Sequence, residues 1–280
     1  MEIGIIGLGL IGGSIAQGLK KNHHKVNAYD KDVNSLNYAV DKNIIDKSFL
    51  DISEFLKNNK LVYLCLYPHD IINFFKTNIG FIQPGTIFIE VSGIKSSLIS
   101  KIEEIEMSNI EIIYTHPIAG KESSGVYNSD CSIFNDSNYI IIDYFKNNKE
   151  NVALVKKLAE EMGFNKISIV SKETHDDLLA YTSHITHLIS MALVNSYDEE
   201  TNVIDFAGDS YKDLTRIAQN NTVLWTDIFL NNSEYILKRL DLFIDELSLL
   251  KKEIQNNDFE KLQNLLERSN KLKKKYKKVR

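Results

Sequence analysis

Short apolar runs alternate with amphipathic stretches through the first half of the chain. The runs are EIGIIG at the start, KVNAYD at 25–30, KLVYLCLY at 60–67, GTIFIEVS at 85–92, IEIIYT at 110–115 and NYIIID at 138–143. Helical periods lie between most of them, and strands separated by that much helix cannot close as hairpins. The expected solution is a mostly parallel, doubly wound sheet. Several runs are apolar almost throughout, in Ile, Val, Leu and Tyr, as strands covered on both faces are.

Beyond Ile169 the pattern predicts helices alone. From Asp176 to Tyr197 the apolar positions Leu178, Leu179, Ile185, Leu188, Ile189, Met191, Leu193 and Val194 surround the helix on nearly all sides. Such a helix is clamped by its neighbours or by a second subunit. A further period runs from Thr222 to Leu250, and Asp258 is placed to cap a last helix bearing Phe259, Leu262, Leu265 and Leu266. The change of period puts a domain junction near residue 170. The expected units are residues 1–170 and 171–280, packed together without a Pro-, Gly- or Ser-rich linker.

The first strand-to-helix turn carries chemistry. Gly7-Leu8-Gly9-Leu10-Ile11-Gly12 follows Ile3–Ile6 and opens a helix containing Ile15, Ala16 and Leu19, the context in which G-x-G-x-x-G denotes a dinucleotide site. Gly7 permits the tight turn, Gly9 lets the pyrophosphate approach, and Gly12 lets the helix lie close to the strand. Asp30, at the end of the next strand, can accept hydrogen bonds from the adenosine ribose. A carboxylate there would repel a 2'-phosphate, so NAD is favoured over NADP, although Lys31 stands beside it. The N-terminal domain is therefore expected to be an α/β Rossmann-type domain. Pro68 and the turn Ser92-Gly93-Ile94-Lys95 follow later strands, at the carboxyl edge where such sheets bind ligands. Lys95 reads equally well as a site residue or as an ordinary lysine at a helix start.

His116 ends a strand-like run and leads into Pro117-Ile118-Ala119-Gly120-Lys121-Glu122. A neutral imidazole near the nicotinamide suits the removal of a hydroxyl proton as hydride departs. A histidine merely hydrogen-bonded at a strand end is the alternative. Pro117 and Gly120 shape the turn, and Glu122 is close enough in sequence to orient a ring or balance a cationic binding group. His175, His184 and His187 form a second group, the last two on one helix face. They lack H-E-x-x-H spacing and a third ligand in register, so no metal site is expected. Arg216 can grip a carboxylate in bidentate fashion with Asp213 to position it, or serve as a surface ion pair.

Composition narrows the setting. With 43% hydrophobic and 25% charged residues the 280-residue chain is globular, and its net charge of -5 gives no footprint for nucleic acid. The basic run from Lys271 to Arg280 reads as the solvated end of a last helix. No apolar run has the length of a bilayer span. Two distant cysteines, Cys65 and Cys131, suit reduced thiols, and a cytoplasmic location is expected.

In order, GLGLIGGS, the Asp30 strand end, VSGIKSS, THPIAGKESSGV, HDDLLAYTSHITH and KDLTRIA resemble the prephenate dehydrogenase family, which includes arogenate dehydrogenases. The resemblance implies a Rossmann-type domain followed by an all-α dimerisation domain, a homodimer, and NAD-dependent oxidative decarboxylation of prephenate in tyrosine biosynthesis. It also implies that His116 contacts the ring hydroxyl, that His187 contacts substrate, and that Arg216 binds a substrate carboxylate, with Gly120 also among the substrate-binding residues. Glu122 and Asp213 would join Arg216 in an ionic network at the pocket entrance. Many members carry Ser where this chain has Gly93, and that hydroxyl hydrogen-bonds the catalytic histidine. Here Ser92, water or backbone must replace it, and Ser92 is the catalytic candidate. Two rivals share the fold: a β-hydroxyacid dehydrogenase, whose catalytic Lys has no counterpart in the helix from Asp176 to Tyr197, and a non-catalytic NAD-binding regulator.

Overall fold

The computed structural model describes residues 1–121, 123–197 and 203–277. All six apolar runs become strands, and two more lie at the edges. In chain order the N-terminal part is β1 (Glu2–Ile6), α1 (Leu10–Lys21), β2 (Lys25–Tyr29), α2 (Val33–Asp41), β3 (Lys47–Phe49), α3 (Ile52–Asn58), β4 (Leu61–Leu64), α4 (Pro68–Asn78), β5 (Thr86–Glu90), α5 (Ser96–Glu103), β6 (Ile110–Ile118), β7 (Asn138–Ile142), α6 (Lys149–Glu161) and β8 (Lys166–Val170). The sheet order is β3-β2-β1-β4-β5-β6-β7-β8. Every pairing is parallel except β6 with β7.

Strand periodicity sorts the core into two layers. Ile3, Ile5, Tyr63, Ile89, Ile113, Tyr139 and Ile141 meet Ile15, Ala16 and Leu19 of α1, Leu36 and Ala39 of α2, and Val155 and Leu158 of α6. The alternate residues Ile6, Val62, Leu64, Phe88, Ile112, Tyr114, Ile140 and Ile142 meet Phe55, Phe74, Phe75, Leu98 and Ile102 on α3, α4 and α5. Both faces are dry, which is why these strands read as continuous apolar runs. β3 (KSF) and β8 (KISIV) escaped the sequence pattern because they are edge strands in which polar residues interrupt the run.

β6 changes partner midway, and this sets the site. Its first half, to Tyr114, pairs with β5, which ends at Glu90. From Thr115 to Ile118 it pairs antiparallel with β7, with His116 opposite Ile140. His116 therefore lies inside the strand, two residues beyond the last β5 pairing, rather than at its end. That point is the carboxyl edge of the parallel sheet.

The remainder is helical: α7 (Lys172–Leu179), a π-turn at Ala180–His184, α8 (Ile185–Asn195), α9 (Asp209–Thr215), α10 (Thr222–Asn231), α11 (Ser233–Gln255) and α12 (Phe259–Lys277). The helix expected over Asp176–Tyr197 is thus α7 and α8 joined by a π-turn, and the period from Thr222 to Leu250 is broken at Asn232. Asp258 does cap α12, its Oδ1 accepting the Lys261 N–H at 3.1 Å. Of the 23 residues of α11 only Ile236 and Glu253 are buried within the chain, while Leu237, Leu242, Ile244 and Leu247 are exposed. Among the described residues no helix is long and apolar enough to cross a membrane.

Candidate active site

The glycine turn between β1 and α1 is built as a cradle. Gly7 has φ +94°, and a Cβ on it would lie 2.4 Å from the Cys65 carbonyl oxygen. A Cβ on Gly12 would lie 1.9 Å from the Gly7 oxygen, so helix and turn touch backbone to backbone. Gly9 is the opposite case, with no atom within 4 Å of where its Cβ would stand. It is the N-cap of α1 and offers no side chain to the orphan N–H groups there. Open space in front of uncapped N–H groups fits a pyrophosphate.

Asp30 follows β2 and is fastened to this turn. Its Oδ2 accepts the Leu8 N–H at 2.6 Å and its Oδ1 the Asp32 N–H at 2.8 Å. Each oxygen retains acceptor capacity for ribose hydroxyls. Leu10 and Ile11 form the first turn of α1, and Pro68 opens α4 at the same sheet edge. Beside it the Tyr67 hydroxyl accepts from Asn221 Nδ2 at 3.0 Å, tying the edge to the helical part.

The turn between β5 and α5 is held by a buried ion pair. Lys95 Nζ meets Glu90 Oε2, and neither side chain is exposed. Glu90 Oε1 also accepts the Ser92 N–H at 2.5 Å. Lys95 is thus half of a buried clamp, and not the ordinary solvated lysine of a helix start. Burial pulls its pKa below the usual lysine range, against the attraction of Glu90. The Ser92 hydroxyl donates to the Ile94 carbonyl at 3.4 Å and forms no hydrogen bond with His116. Gly93 is the residue that faces His116, since a Cβ there would lie 3.6 Å from Cε1 and 3.7 Å from Nε2 of the ring.

His116 is oriented from its other side. Its Nδ1 lies 2.9 Å from His175 Nε2, and His175 Nδ1 lies 2.7 Å from Asp176 Oδ1. The Asp176 carboxylate also accepts the N–H groups of Lys95, at 3.2 Å, and Ser96, at 2.7 Å, and so caps α5 from α7. His175 and Asp176 are buried. Among the described residues, nothing hydrogen-bonds His116 Nε2. Burial holds the His116 pKa well below the ordinary histidine value, and the nearby His175, Lys95 and His184 add to it. Burial lowers His175 too, in spite of Asp176. For Asp176 burial works upward, but the bonds from His175 and Ser96 hold it below the usual carboxylate range. The arrangement is a carboxylate, two neutral rings and a bare ring nitrogen, which is the composition of a general base.

The π-turn and the start of α8 deliver the next pair of histidines. His184 is buried, with Nδ1 3.1 Å from Asn232 Nδ2, and Asn232 donates as well to the Asp176 carbonyl at 3.0 Å. Burial brings the His184 pKa down to about 4. His187 stacks on Trp225 at 3.6 Å between ring centroids and bonds the Ser183 carbonyl at 3.0 Å through Nδ1. Burial lowers its pKa as well. Asp213, on α9, and Arg216, at the start of the following 3-10 turn, are exposed on segments that pack against α8. Gly120 is exposed, with open space where a Cβ would stand. Glu122 lies outside the described residues.

The structure therefore gathers His116, Gly93, His175, Asp176 and the Glu90–Lys95 clamp at one point, with His184 and Asn232 behind. The sequence grouped His175 with His184 and His187, and gave no sign that its partner is His116, far away in the chain. Trp225, which stacks on His187, carries no signal in the sequence that would single it out.

Residues 15–168 match the family model described as prephenate dehydrogenase, nucleotide-binding domain. Residues 171–268 match that described as prephenate dehydrogenase, dimerization domain. The cyclohexadienyl dehydrogenase of Zymomonas mobilis is 30% identical over 264 residues, covering 92% of this chain and 89% of that protein. Aquifex aeolicus prephenate dehydrogenase, solved in complex with hydroxyphenyl propionate and NAD+, superposes with a TM-score of 0.88 at 28% identity, covering 100% of this chain and 98% of that one. Synechocystis arogenate dehydrogenase gives 0.83 at 25% identity, covering 99% and 100%.

Proposed function

Since the chain belongs to the prephenate dehydrogenase family, we propose that it catalyses the NAD-dependent oxidative decarboxylation of prephenate to 4-hydroxyphenylpyruvate, the precursor of tyrosine. The observation that carries this is the bare Nε2 of His116, held at the carboxyl edge of the sheet by the bond from its Nδ1 to His175. NAD, when bound at the glycine turn, supplies the hydride acceptor. Gly7, Leu8, Gly9, Leu10, Ile11 and Gly12 would cradle it, with Asp30 toward the ribose and Pro68 and Ser92 along the same edge.

His116 accepts the proton of the ring hydroxyl at Nε2. The ring carboxylate leaves as carbon dioxide, and the proton returns to the phenolate oxygen of the aromatised product, so none is consumed overall. His187, stiffened by its stack on Trp225, contacts the substrate near Gly120. Arg216 binds a substrate carboxylate, with Asp213 and Glu122 around it. The protein's share is orientation and the storage of one proton.

The working molecule is a homodimer. The exposed apolar face of α11 and the match to a dimerization domain support it. Two unpaired thiols, Cys65 and Cys131, support a reducing, cytoplasmic setting.

Arogenate is the second substrate to weigh, because one similar structure is an arogenate dehydrogenase. NADH formation with prephenate, arogenate and simple β-hydroxyacids decides among them. Turnover with prephenate is expected. Turnover with arogenate alone would move the assignment to that substrate, and with a β-hydroxyacid alone would overturn it.

A further inference from the structure

We propose that Asp176 and His175 are positioning residues for the reaction, a buried carboxylate–imidazole pair that fixes His116 in the tautomer whose Nε2 carries the lone pair. The proposal rests on the role of His116 as base given above, and it identifies what holds that base in a chain with glycine at position 93.

Hydrogen-bond bookkeeping along the chain of groups leaves one arrangement. Asp176 already accepts two backbone N–H groups, from Lys95 and Ser96, at the start of α5. A carboxylate so capped is ionised and can only accept, so His175 Nδ1, at 2.7 Å, must be the donor. His175 is fully buried, and a second proton on its ring would be a buried cation; its Nε2 is therefore an acceptor. His116 Nδ1, 2.9 Å away, must then carry its proton toward His175. That leaves Nε2 bare, on the side where a Cβ at Gly93 would lie only 3.7 Å off and where the missing side chain leaves room. When Nε2 takes up a proton, the positive charge is held by a donor chain that ends on the Asp176 carboxylate.

Two features show that the pair is anchored rather than incidental. Asn232 donates to the Asp176 carbonyl at 3.0 Å and lies 3.1 Å from His184 Nδ1, so α7, the π-turn and α11 are locked around it. The Glu90–Lys95 clamp fixes the turn that supplies the N–H groups. The ring of His116 is held from the Nδ1 side alone, since the Ser92 hydroxyl is directed to the Ile94 carbonyl.

Asp176→Asn tests this. With its amide oxygen kept on Ser96, the variant turns its NH2 toward His175 Nδ1 and gives up the Lys95 N–H that Oδ1 accepted, and the pattern reverses: His175 then donates from Nε2, and His116 keeps its proton on Nε2. The readouts are steady-state kinetics with prephenate, NAD affinity, and nitrogen-15 spectra of the labelled histidines. Expected are a kcat loss of about ten- to ten-thousand-fold at neutral pH, the size of a general-base contribution or its loss by mis-tautomerisation, with KM and NAD affinity within about threefold. His116 should switch from Nδ1–H to Nε2–H. A kcat loss smaller than tenfold, an unchanged His116 tautomer, or a KM rise matching the kcat loss would each overturn the positioning role. If the Asn variant does not fold, His175→Phe leaves the cap of α5 in place and should give a mixture of His116 tautomers with a smaller loss of kcat, in proportion to the fraction protonated on Nε2, and a ring that stayed wholly Nδ1–H would overturn the positioning role. A wild-type chain that forms no NADH from prephenate or arogenate would sink the functional assignment instead, and the nitrogen-15 pattern would still judge the pair.

Discussion

Four histidines of this chain, His116, His175, His184 and His187, are kept neutral by burial. Their pKa values lie below the unfolded value of about 6.5, so below that pH the unfolded chain binds more protons than the folded one. Their stabilising contribution is complete above about pH 6.5 and is lost as pH falls through the folded values, for His184 down to about 4. The melting temperature should hold steady from neutrality upward and drop on acidification. His184→Phe should blunt the drop, and an equally steep acid limb in that variant would contradict it. Catalysis follows the same sign: a neutral base is competent throughout the neutral range, so kcat/KM should fall on the acid side only below the ordinary histidine pKa. At this scale the sequence yielded residue types better than partners. His116 stood out by its place after an apolar run, whereas the His116–His175–Asp176 chain spans β6 and α7 and needed the fold to be seen. Ser92 is adjacent to the right position in sequence, but it is Gly93 that faces the ring.

Elements show where pattern suffices and where it does not. The six buried strands were legible because dry faces on both sides demand mostly apolar residues, and the glycine turn because Gly7 and Gly12 have no room for a side chain. The edge strands β3 and β8, the π-turn and the break at Asn232 were not, since each depends on neighbours rather than on local periodicity. The glycine turn also separates binding from folding. Gly9→Ala adds a methyl group where nothing lies within 4 Å. Its melting temperature should match wild type while NAD affinity drops about tenfold or more, equivalent to ~1.4 kcal/mol. Gly12→Ala drives a methyl group to 1.9 Å from the Gly7 oxygen and should cost stability first. Titration of NAD beside thermal melting distinguishes them; equal effects of the two variants on melting would contradict the cradle as described.

The whole molecule is held across its junction by Asn221 on Tyr67 and by Asp176 of α7 on the start of α5. The sequence located the change from sheet to helices but not these ties. In the single chain, α11 leaves Leu237, Leu242, Ile244 and Leu247 exposed. Leu237, Ile244 and Leu247 are spaced by seven and three residues and so share one side of the helix, with Leu242 turned away from it; such an exposed apolar stripe is unfavourable in water and is covered most simply by a second copy. Sedimentation at micromolar concentration should give a stable dimer, and a monomer there would leave that face unexplained. The central claim, that the His116 imidazole is the base of an NAD-linked dehydrogenase, is tested most directly by His116→Asn assayed for both prephenate turnover and NAD binding. NAD affinity should be retained while kcat falls by about a hundredfold or more; a kcat within a few fold of wild type would contradict it.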